Sequence, residues 1–230
     1  DGKPVNAVYA WEFTGLDPKT GFATFKGCSS NEDEVEKSDD PATYLKYVGP
    51  ADPRFNGGLS SSLRWKNLTL SAQFAFGFGN YKRLNFIFEG DNKMPSPQTN
   101  MTKEMLGRWK QEGDQSMIPG LNFSDSNDYM ICTPDRSASW KNTYTMYNYS
   151  DARIVKGDFF RCRNLMLSYA VPYQFLRHMG VTAVSLGFNV TNPFTLCSSR
   201  FNGQDPEVSN TGSVALPITQ AYSLSLNVSF

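Results

Sequence analysis

The chain has little of what most enzymes and nucleic-acid-binding proteins rely on. Its 22 basic and 22 acidic residues cancel, so no net charge attracts nucleic acid. His178 is the only histidine, and we expect it in a solvated turn rather than at a base or metal-ligand position. No paired carboxylates stand out from the loops. We therefore expect no catalytic residue, no cofactor and no metal site.

The sequence also lacks long apolar runs. No stretch approaches the roughly 18 consecutive apolar residues of a transmembrane helix. Residues 1–10 have neither the basic start nor the apolar core of a signal peptide. The lack of long apolar runs indicates that residues 1–230 contain no membrane-spanning helix. It does not exclude membrane strands, because alternating apolar and polar residues dilute the hydropathy signal.

Cysteine is scarce as well. The four cysteines contain no Cys-x-x-Cys pair, so a zinc or thioredoxin-type site is unsupported. Three of them fall in predicted long loops, where a disulfide is chemically feasible. Their spacing does not select a pairing among Cys28, Cys132, Cys162 and Cys197.

What the chain does have is alternation with a period of two. Residues 221–230 read AYSLSLNVSF, in which every second residue from Tyr222 to Phe230 is apolar and the others are small or polar. The pattern recurs along the chain and predicts six antiparallel strands, several of them near the roughly 9 to 11 residues of a tilted membrane strand. These strands cover residues 5–13, 55–65, 67–78, 164–171, 182–190 and 221–230.

The connections between these strands alternate in length. Short turns at residues 66–67 and 172–180 contrast with long polar connections at residues 14–54, 79–158 and 191–218. Outer-membrane barrels show this asymmetry, with the short turns on the periplasmic side. The pattern predicts an all-β fold, an antiparallel transmembrane β-barrel segment. Its long loops would be extracellular and its carboxyl terminus periplasmic.

Aromatic residues near the predicted strand ends agree with a membrane barrel, since amphipathic rings favour the headgroup level. Six strands are too few for a barrel of about eight or more, so we expect the chain to be part of a larger protein. Two alternatives stay open: a soluble β-sandwich acting as a carbohydrate-binding or adhesin module, and a secreted hydrolase. The aromatic residues are Trp11, Phe13, Trp65, Phe76, Phe78 and Tyr169.

Seven sequence pieces, taken in order, resemble one known family. No single piece is specific, but their order is. The chain resembles the carboxyl-terminal part of the SusC/RagA-like TonB-dependent outer-membrane transporters of Bacteroidetes. The pieces occupy residues 2–27, 52–80, 107–120, 158–172, 190–195 (VTNPFT), 203–209 (GQDPEVS) and 223–230 (SLSLNVSF).

This resemblance implies a large plugged barrel of about 22 strands, of which residues 1–230 would supply about the last six. It implies active import of nutrients, usually oligosaccharides and sometimes peptides. A SusD-like lipoprotein would close the extracellular mouth, and the TonB complex would act through a plug domain outside this chain. The sequence departs from the family pattern at Cys162, at Pro193 and at residues 216–220.

Aromatic residues near the end of the longest loop are the predicted substrate-binding residues. Flat rings with neighbouring amides stack on sugar rings and hydrogen-bond to them, although the same residues also suit packing within the loop. Upstream, residues 99–111 carry apolar side chains at helical spacing and predict one short helix. The predicted sugar-contacting residues are Trp140, Asn142, Tyr144, Tyr147 and Tyr149.

The terminal aromatic residue carries a separate prediction. Phe230 resembles the signal by which the barrel-assembly machinery recognises outer-membrane proteins. The alternative is that it anchors the last strand at the periplasmic headgroups.

Overall fold

The structure is a computed structural model that describes residues 2–31, 35, 40–88, 98, 100–121, 129–130, 141–177, 180–208, 212 and 216–230. Its described residues form two units. We call the described residues within 52–80, 156–208 and 216–230 the sheet unit. The described residues within 2–51 and 81–155, with Gly212, are the loop unit.

The secondary structure is mostly strand. The strands are β1 (Ala7–Trp11), β2 (Phe13–Leu16), β3 (Ala23–Phe25), β4 (Leu45–Pro50), β5 (Phe55–Trp65), β6 (Leu68–Phe78), β7 (Tyr81–Arg83), β8 (Tyr129–Met130), β9 (Lys141–Asn142), β10 (Ile154–Lys156), β11 (Phe159–Ala170), β12 (Ala183–Cys197) and β13 (Ala221–Ser229). The described residues also contain two α-helices, α1 (Thr143–Asn148) and α2 (Tyr173–Leu176), and 3-10 turns at Pro41–Thr43, Lys103–Gly107, Asp151–Arg153 and Ser199–Phe201. No helix in the described part of the chain is long and apolar enough to span a membrane.

The sheet unit contains one antiparallel sheet in the order β5, β6, β11, β12, β13. Its strands have 11, 11, 12, 15 and 9 residues, longer than the roughly five or six residues of a typical soluble strand. Because the strands are antiparallel neighbours in chain order, the short connections β5–β6 and β11–β12 lie at one end. The long connections β6–β11 and β12–β13 lie at the other. The predicted alternation of loop length is confirmed.

The register aligns apolar residues with apolar residues across all five strands. One transverse row consists of Leu63, Leu70, Leu167, Phe188 and Leu224. The adjacent row, one position along each strand, points to the opposite face and consists of Ser62, Ser71, Met166, Asn189 and Ser223. The sheet therefore has one continuous apolar face and one largely polar face.

The apolar face is exposed. Leu63 is 67% accessible and Leu224 is 80% accessible, and most of the large side chains in line with them are also exposed. A soluble sheet of this size buries such a face against a second layer of structure. The predicted alternation is confirmed for these five strands, and the apolar face of the sheet is largely exposed.

Strand β12 is longer than predicted, because a bulge accommodates Pro193. The β11–β12 register shifts between Cys162 and Asn164, opposite Asn192 and Pro193. Asn192 adopts a left-handed backbone with φ of 53°. A proline lacks the N–H that a regular ladder requires, and a bulge is one of the few sheet positions that tolerate it. The predicted strand 182–190 therefore continues to Cys197, and the predicted strand 164–171 begins earlier, at Phe159.

The first predicted strand is not part of this sheet, so the prediction of six consecutive barrel strands is wrong for residues 5–13. Strand β1 pairs with β4 instead, and β2 pairs with β3, both within the loop unit. Two aromatic side chains of this segment, Trp11 and Phe13, pack against other rings of that unit. The Phe13 ring lies 5.4 Å from the Tyr147 ring, and Trp11 lies 6.4 Å from Tyr149.

The loop unit has an aromatic core of its own. Phe22, Phe25 and Phe88 pack there with Tyr144 and Tyr147, surrounded by smaller apolar side chains. Several of these rings meet edge to face or tilted, which suits the quadrupole of an aromatic ring. The long connections therefore contribute to a packed unit.

Buried Asn148 joins two distant segments of the loop unit. Its side-chain oxygen accepts hydrogen bonds from the backbone N–H groups of Ile87 and Phe88, at 3.1 Å and 3.4 Å. Its amide nitrogen donates to the carbonyl oxygen of Phe88 at 2.6 Å. One amide thus satisfies three backbone groups that lie about 60 residues away in sequence.

The predicted helix within residues 99–111 is a short 3-10 turn, Lys103–Gly107. Met105 is buried, whereas Leu106 is exposed, so the expected apolar face is incomplete. Trp109 lies against Gly21 and Gly120, and a Cβ atom at either glycine would collide with its ring. Both glycines are needed because the indole approaches the backbone closely.

The cysteines divide into two kinds. Cys28 is disulfide-bonded. Cys162 is a buried free thiol and Cys197 an exposed one. Cys132 lies outside the described residues, as does His178.

Removing the Asn148 amide should loosen the loop unit. Asn148→Ala leaves buried backbone groups without partners, and each such group costs about 1 to 3 kcal/mol. We expect faster limited proteolysis within residues 81–155 of the variant. Exposed Asn100 of the same unit provides the matched control Asn100→Ala. Equal proteolysis of both variants would contradict this role.

Candidate functional site

The structure places the predicted tyrosines mainly in the core. Tyr144 is fully buried and Tyr147 is 3% accessible. The Tyr144 hydroxyl donates to the carbonyl oxygen of Gly120 at 2.8 Å, and the Tyr147 hydroxyl donates to that of Met117 at 2.9 Å. Their burial favours a packing role over the predicted sugar contact.

Asn142 is also occupied by the fold. It is buried and caps helix α1, since its side-chain oxygen accepts from the backbone N–H groups of Tyr144 and Thr145 at 2.9 Å and 3.4 Å. Trp140 lies outside the described residues. Among the predicted aromatic residues that are described, this leaves Tyr149 at the surface.

Tyr149 is 40% accessible and belongs to a small surface cluster of the loop unit. Its ring lies 4.9 Å from that of Phe86, and the guanidinium carbon of Arg83 lies 4.9 Å from its centroid. This is cation–π geometry. The cluster combines an aromatic surface with a positive charge, and the sequence had indicated the aromatic part alone.

A second candidate lies in the sheet unit, where two arginines of β11 meet two carboxylates. Arg161 Nη2 donates to Asp205 Oδ1 at 2.5 Å, and Arg161 Nε lies 2.6 Å from Glu207 Oε2. Arg163 Nη2 donates to Glu207 Oε1 at 2.5 Å. Arg161 and Asp205 are buried. We call these four residues the arginine clamp.

The clamp fixes the connection between β12 and β13. Besides the Arg161 bond, the Asp205 carboxylate accepts backbone N–H bonds from Glu207 at 2.9 Å and from Ile218 at 3.0 Å. It therefore ties strand β11 to the connection and to the segment that leads into β13. Burial by itself raises the pKa of Asp205, but the hydrogen bonds from Arg161, Glu207 and Ile218 outweigh it and leave the pKa below its ordinary value.

A cavity of about 450 Å³ lies beside the clamp. The two charged residues in its lining, Arg161 and Asp205, are already paired with each other. The rest of the described lining is neutral, so it suits hydroxyl and amide groups of a ligand. Polar members include Asn192, Thr195, Ser198, Asn202, Gln204 and Gln220.

Sequence reasoning did not assign these residues a role. Both halves of the clamp lie in family-like pieces, at residues 158–172 and 203–209, but the four charges are distant in sequence. A signal was present: two arginines at alternate positions of a strand, and an aspartate and a glutamate two residues apart in a connection. Opposite charges in two sequence pieces predict an ion pair only if the two pieces are known to lie close together in space, and the sequence does not show this.

Phe230 follows the end of β13 and is 89% accessible. This position is compatible with either of its predicted roles. The assembly-signal role stays a prediction.

Comparisons with known proteins agree with this geometry. No family model matches the chain. A TonB-dependent receptor P3 of Formosa agariphila is 23% identical over 216 residues, covering 90% of this chain and 19% of that protein. The structure of the RagAB peptide transporter aligns with a TM-score of 0.65 and 21% identity, over 97% of this chain and 23% of that chain. The RagAB peptide importer in its open-open state aligns with a TM-score of 0.63 and 22% identity, over 96% of this chain and 22% of that chain.

The resemblance to the SusC/RagA-like transporters is confirmed. The chain has the fold of a segment of a TonB-dependent outer-membrane barrel transporter. It spans about a fifth of the length of the relatives that it matches.

The clamp makes stability depend on pH. Since the folded-state pKa of Asp205 is lowered, its stabilising contribution is complete above the unfolded-state pKa of about 3.9 and is lost as the pH falls through the folded-state value. We expect thermal unfolding of the wild type, followed by circular dichroism in detergent, to shift downward below about pH 4.

Asp205→Asn should flatten that acid response and lower stability at neutral pH by about 1.5 to 3 kcal/mol, because Arg161 loses a charged hydrogen-bond partner but keeps Glu207. Exposed Asp52 provides the control Asp52→Asn in the same unit. An unchanged acid response in Asp205→Asn would contradict the assigned role of the clamp.

Proposed function

We propose that this chain forms part of the wall of a TonB-dependent outer-membrane importer of nutrients. The observation that supports this most strongly is the exposed apolar face, continuous across five long antiparallel strands. In a lipid bilayer such a face is solvated by hydrocarbon, while every interior strand satisfies its backbone groups through its two neighbours. In this proposal residues 1–230 belong to one barrel domain, and the loop unit is an elaboration of its long connections.

The alternative was a soluble β-sandwich that binds carbohydrate or acts as an adhesin. A sandwich needs its apolar face against a second sheet, whereas Leu63 and Leu224 are largely accessible here. The named relatives are a receptor and a peptide importer, which also argues against the hydrolase alternative. Import is therefore the function that the geometry supports best.

Substrate and partners follow from the family resemblance. The RagAB neighbours are named as peptide importers, so a peptide is as reasonable a cargo as the oligosaccharide expected from the sequence. We infer a SusD-like lipoprotein over the mouth, TonB acting through a plug domain outside this chain, and the barrel-assembly machinery as the folding partner. The long connections would be extracellular and Phe230 periplasmic.

Of the predicted sugar-contacting aromatic residues that the structure describes, Tyr149 is the one best placed for cargo contact. It is exposed and has an arginine beside its ring. Trp140 keeps its predicted role as a proposal. Asn142, Tyr144 and Tyr147 would support the surface from beneath rather than touch cargo, because they are buried.

Opposite faces of β6 provide the test. Phe74 lies on the apolar face, where its ring stacks 5.2 Å from Phe160, and the adjacent Gln73 lies on the polar face. Phe74→Arg should destabilise the barrel by about 2 to 4 kcal/mol if this site lies near the bilayer midplane, because a charge then meets hydrocarbon. Gln73→Arg should cost clearly less.

The measurement is a folding titration of the full barrel into lipid vesicles, with outer-membrane fractionation as a cellular readout. Equal costs for Phe74→Arg and Gln73→Arg would overturn the assignment of the apolar face to lipid. Recovery of the wild-type protein as a soluble monomer without detergent would overturn the proposed function itself.

A further inference from the structure

Arg83 of the loop unit is held in an unusual setting. Its side chain is half-buried, and its Nη1 and Nη2 atoms donate to the carbonyl oxygens of Asn148 and Tyr9 at 3.2 Å and 3.3 Å. The guanidinium carbon lies 4.9 Å from the centroid of the Tyr149 ring. Neutral groups thus fix the orientation of the guanidinium.

No carboxylate among the described residues pairs with Arg83. The contrast with two other arginines is clear: Arg153 pairs with Glu104, and Arg161 pairs with Asp205. A guanidinium has five N–H donors, and the described partners of Arg83 accept from two of its nitrogens. The group therefore retains both its charge and donor capacity.

Arg83 lines a cavity of about 250 Å³. The other described lining residues are Ala7, Val8, Tyr9, Ala51 and Tyr81, none of which is acidic. A cavity of this size is smaller than a typical drug-sized ligand pocket of about 300 to 1,000 Å³. It suits a terminal group of a larger molecule rather than a whole oligomer.

Burial of the positive charge makes an anion favourable there. Desolvation lowers the pKa of Arg83, and the Tyr149 phenol opposes this shift. Neutral carbonyls and a ring face replace only part of the lost hydration. A carboxylate would supply the missing charge and match the planar fork of the guanidinium with two parallel hydrogen bonds.

We propose that the Arg83 cavity binds a carboxylate group of the ligand. The inference deepens the proposed function and rests on it for the origin of that group. Two sources share the chemistry: the terminal carboxylate of a peptide and the carboxylate of an acidic sugar.

Calorimetric titration of the purified full-length protein in detergent tests the site with three probes. These are trialanine, its carboxyl-terminal amide, and digalacturonic acid. We expect trialanine or digalacturonic acid to bind the wild type and to bind Arg83→Gln at least about tenfold more weakly, since a charged hydrogen bond is lost. Arg83→Lys, which keeps the charge but not the fork, should be intermediate.

The matched control is Arg108→Gln. Arg108 also donates to a main-chain carbonyl, that of Met105 at 3.2 Å, but it does not line the cavity. Its variant should bind the probes like the wild type. Unchanged limited proteolysis of Arg83→Gln shows that its loop unit is intact, and Arg83→Lys keeps the test valid if Arg83→Gln fails to fold.

The outcomes separate the sources. If trialanine binds in an Arg83-dependent manner and its carboxyl-terminal amide does not bind, the ligand group is a peptide carboxylate. If digalacturonic acid binds in an Arg83-dependent manner, the ligand group is the carboxylate of an acidic sugar. Equal binding by wild type and Arg83→Gln, or no binding of any probe by the wild type, overturns the inference.

Uptake assays test the proposed import function separately from the proposed carboxylate site. If the protein imports nutrient in a TonB-dependent manner but Arg83→Gln binds all probes normally, the carboxylate site alone is wrong. If Arg83-dependent binding persists in a protein that is absent from the outer membrane, the proposed function alone is wrong.

Discussion

The strand register is the constraint on which the rest of the structure depends. Successive side chains of a strand point to opposite faces, so a slip of one residue between two neighbours would place one strand's apolar set among the polar set of the next. The row from Leu63 to Leu224 shows that no such slip occurs across five strands. The bulge near Arg163 and Pro193 preserves this agreement by absorbing extra residues where the ladder would otherwise fail.

Polar side chains perform the corresponding task in the connections. Asn148 satisfies backbone groups of a segment far away in sequence. Asp205 accepts from the nearby backbone N–H groups of Glu207 and Ile218 while its carboxylate pairs with Arg161 of strand β11. Long connections have a large conformational entropy, and repeated hydrogen bonds to a single buried group restrict it. The two units thus use similar chemistry, an amide in one and a carboxylate in the other.

Arginine serves two different purposes in this chain. Arg161 is buried with carboxylates of its own chain and is electrically satisfied, so the cavity beside it presents neutral groups. Arg83 is oriented by carbonyl oxygens and an aromatic face, has no carboxylate partner among the described residues, and lines a cavity. This difference comes from the partners and not from the residue type. Arg161 therefore has a structural role, and Arg83 has the proposed role in ligand recognition.

The sequence by itself determined the strands that form the sheet, the facing of their side chains and the alternation of loop lengths. These features follow from local covalent geometry, since a period of two and a two-residue turn such as Lys66–Asn67 are visible without knowledge of distant residues. Seven ordered sequence pieces were also sufficient for the family resemblance. The alternation around residues 5–13 correctly predicted a strand at Ala7–Trp11. It did not predict which strand pairs with it, and that strand is β4.

Only the tertiary structure decided which loop side chains are buried. Tyr144 and Tyr149 have the same side-chain chemistry and lie five positions apart, yet one is enclosed by Phe22 and Phe88 and the other is exposed. The same holds for Arg161 and Arg83, whose partners come from distant parts of the chain. Burial and charge pairing are properties of non-local contacts, and a one-dimensional pattern does not contain them.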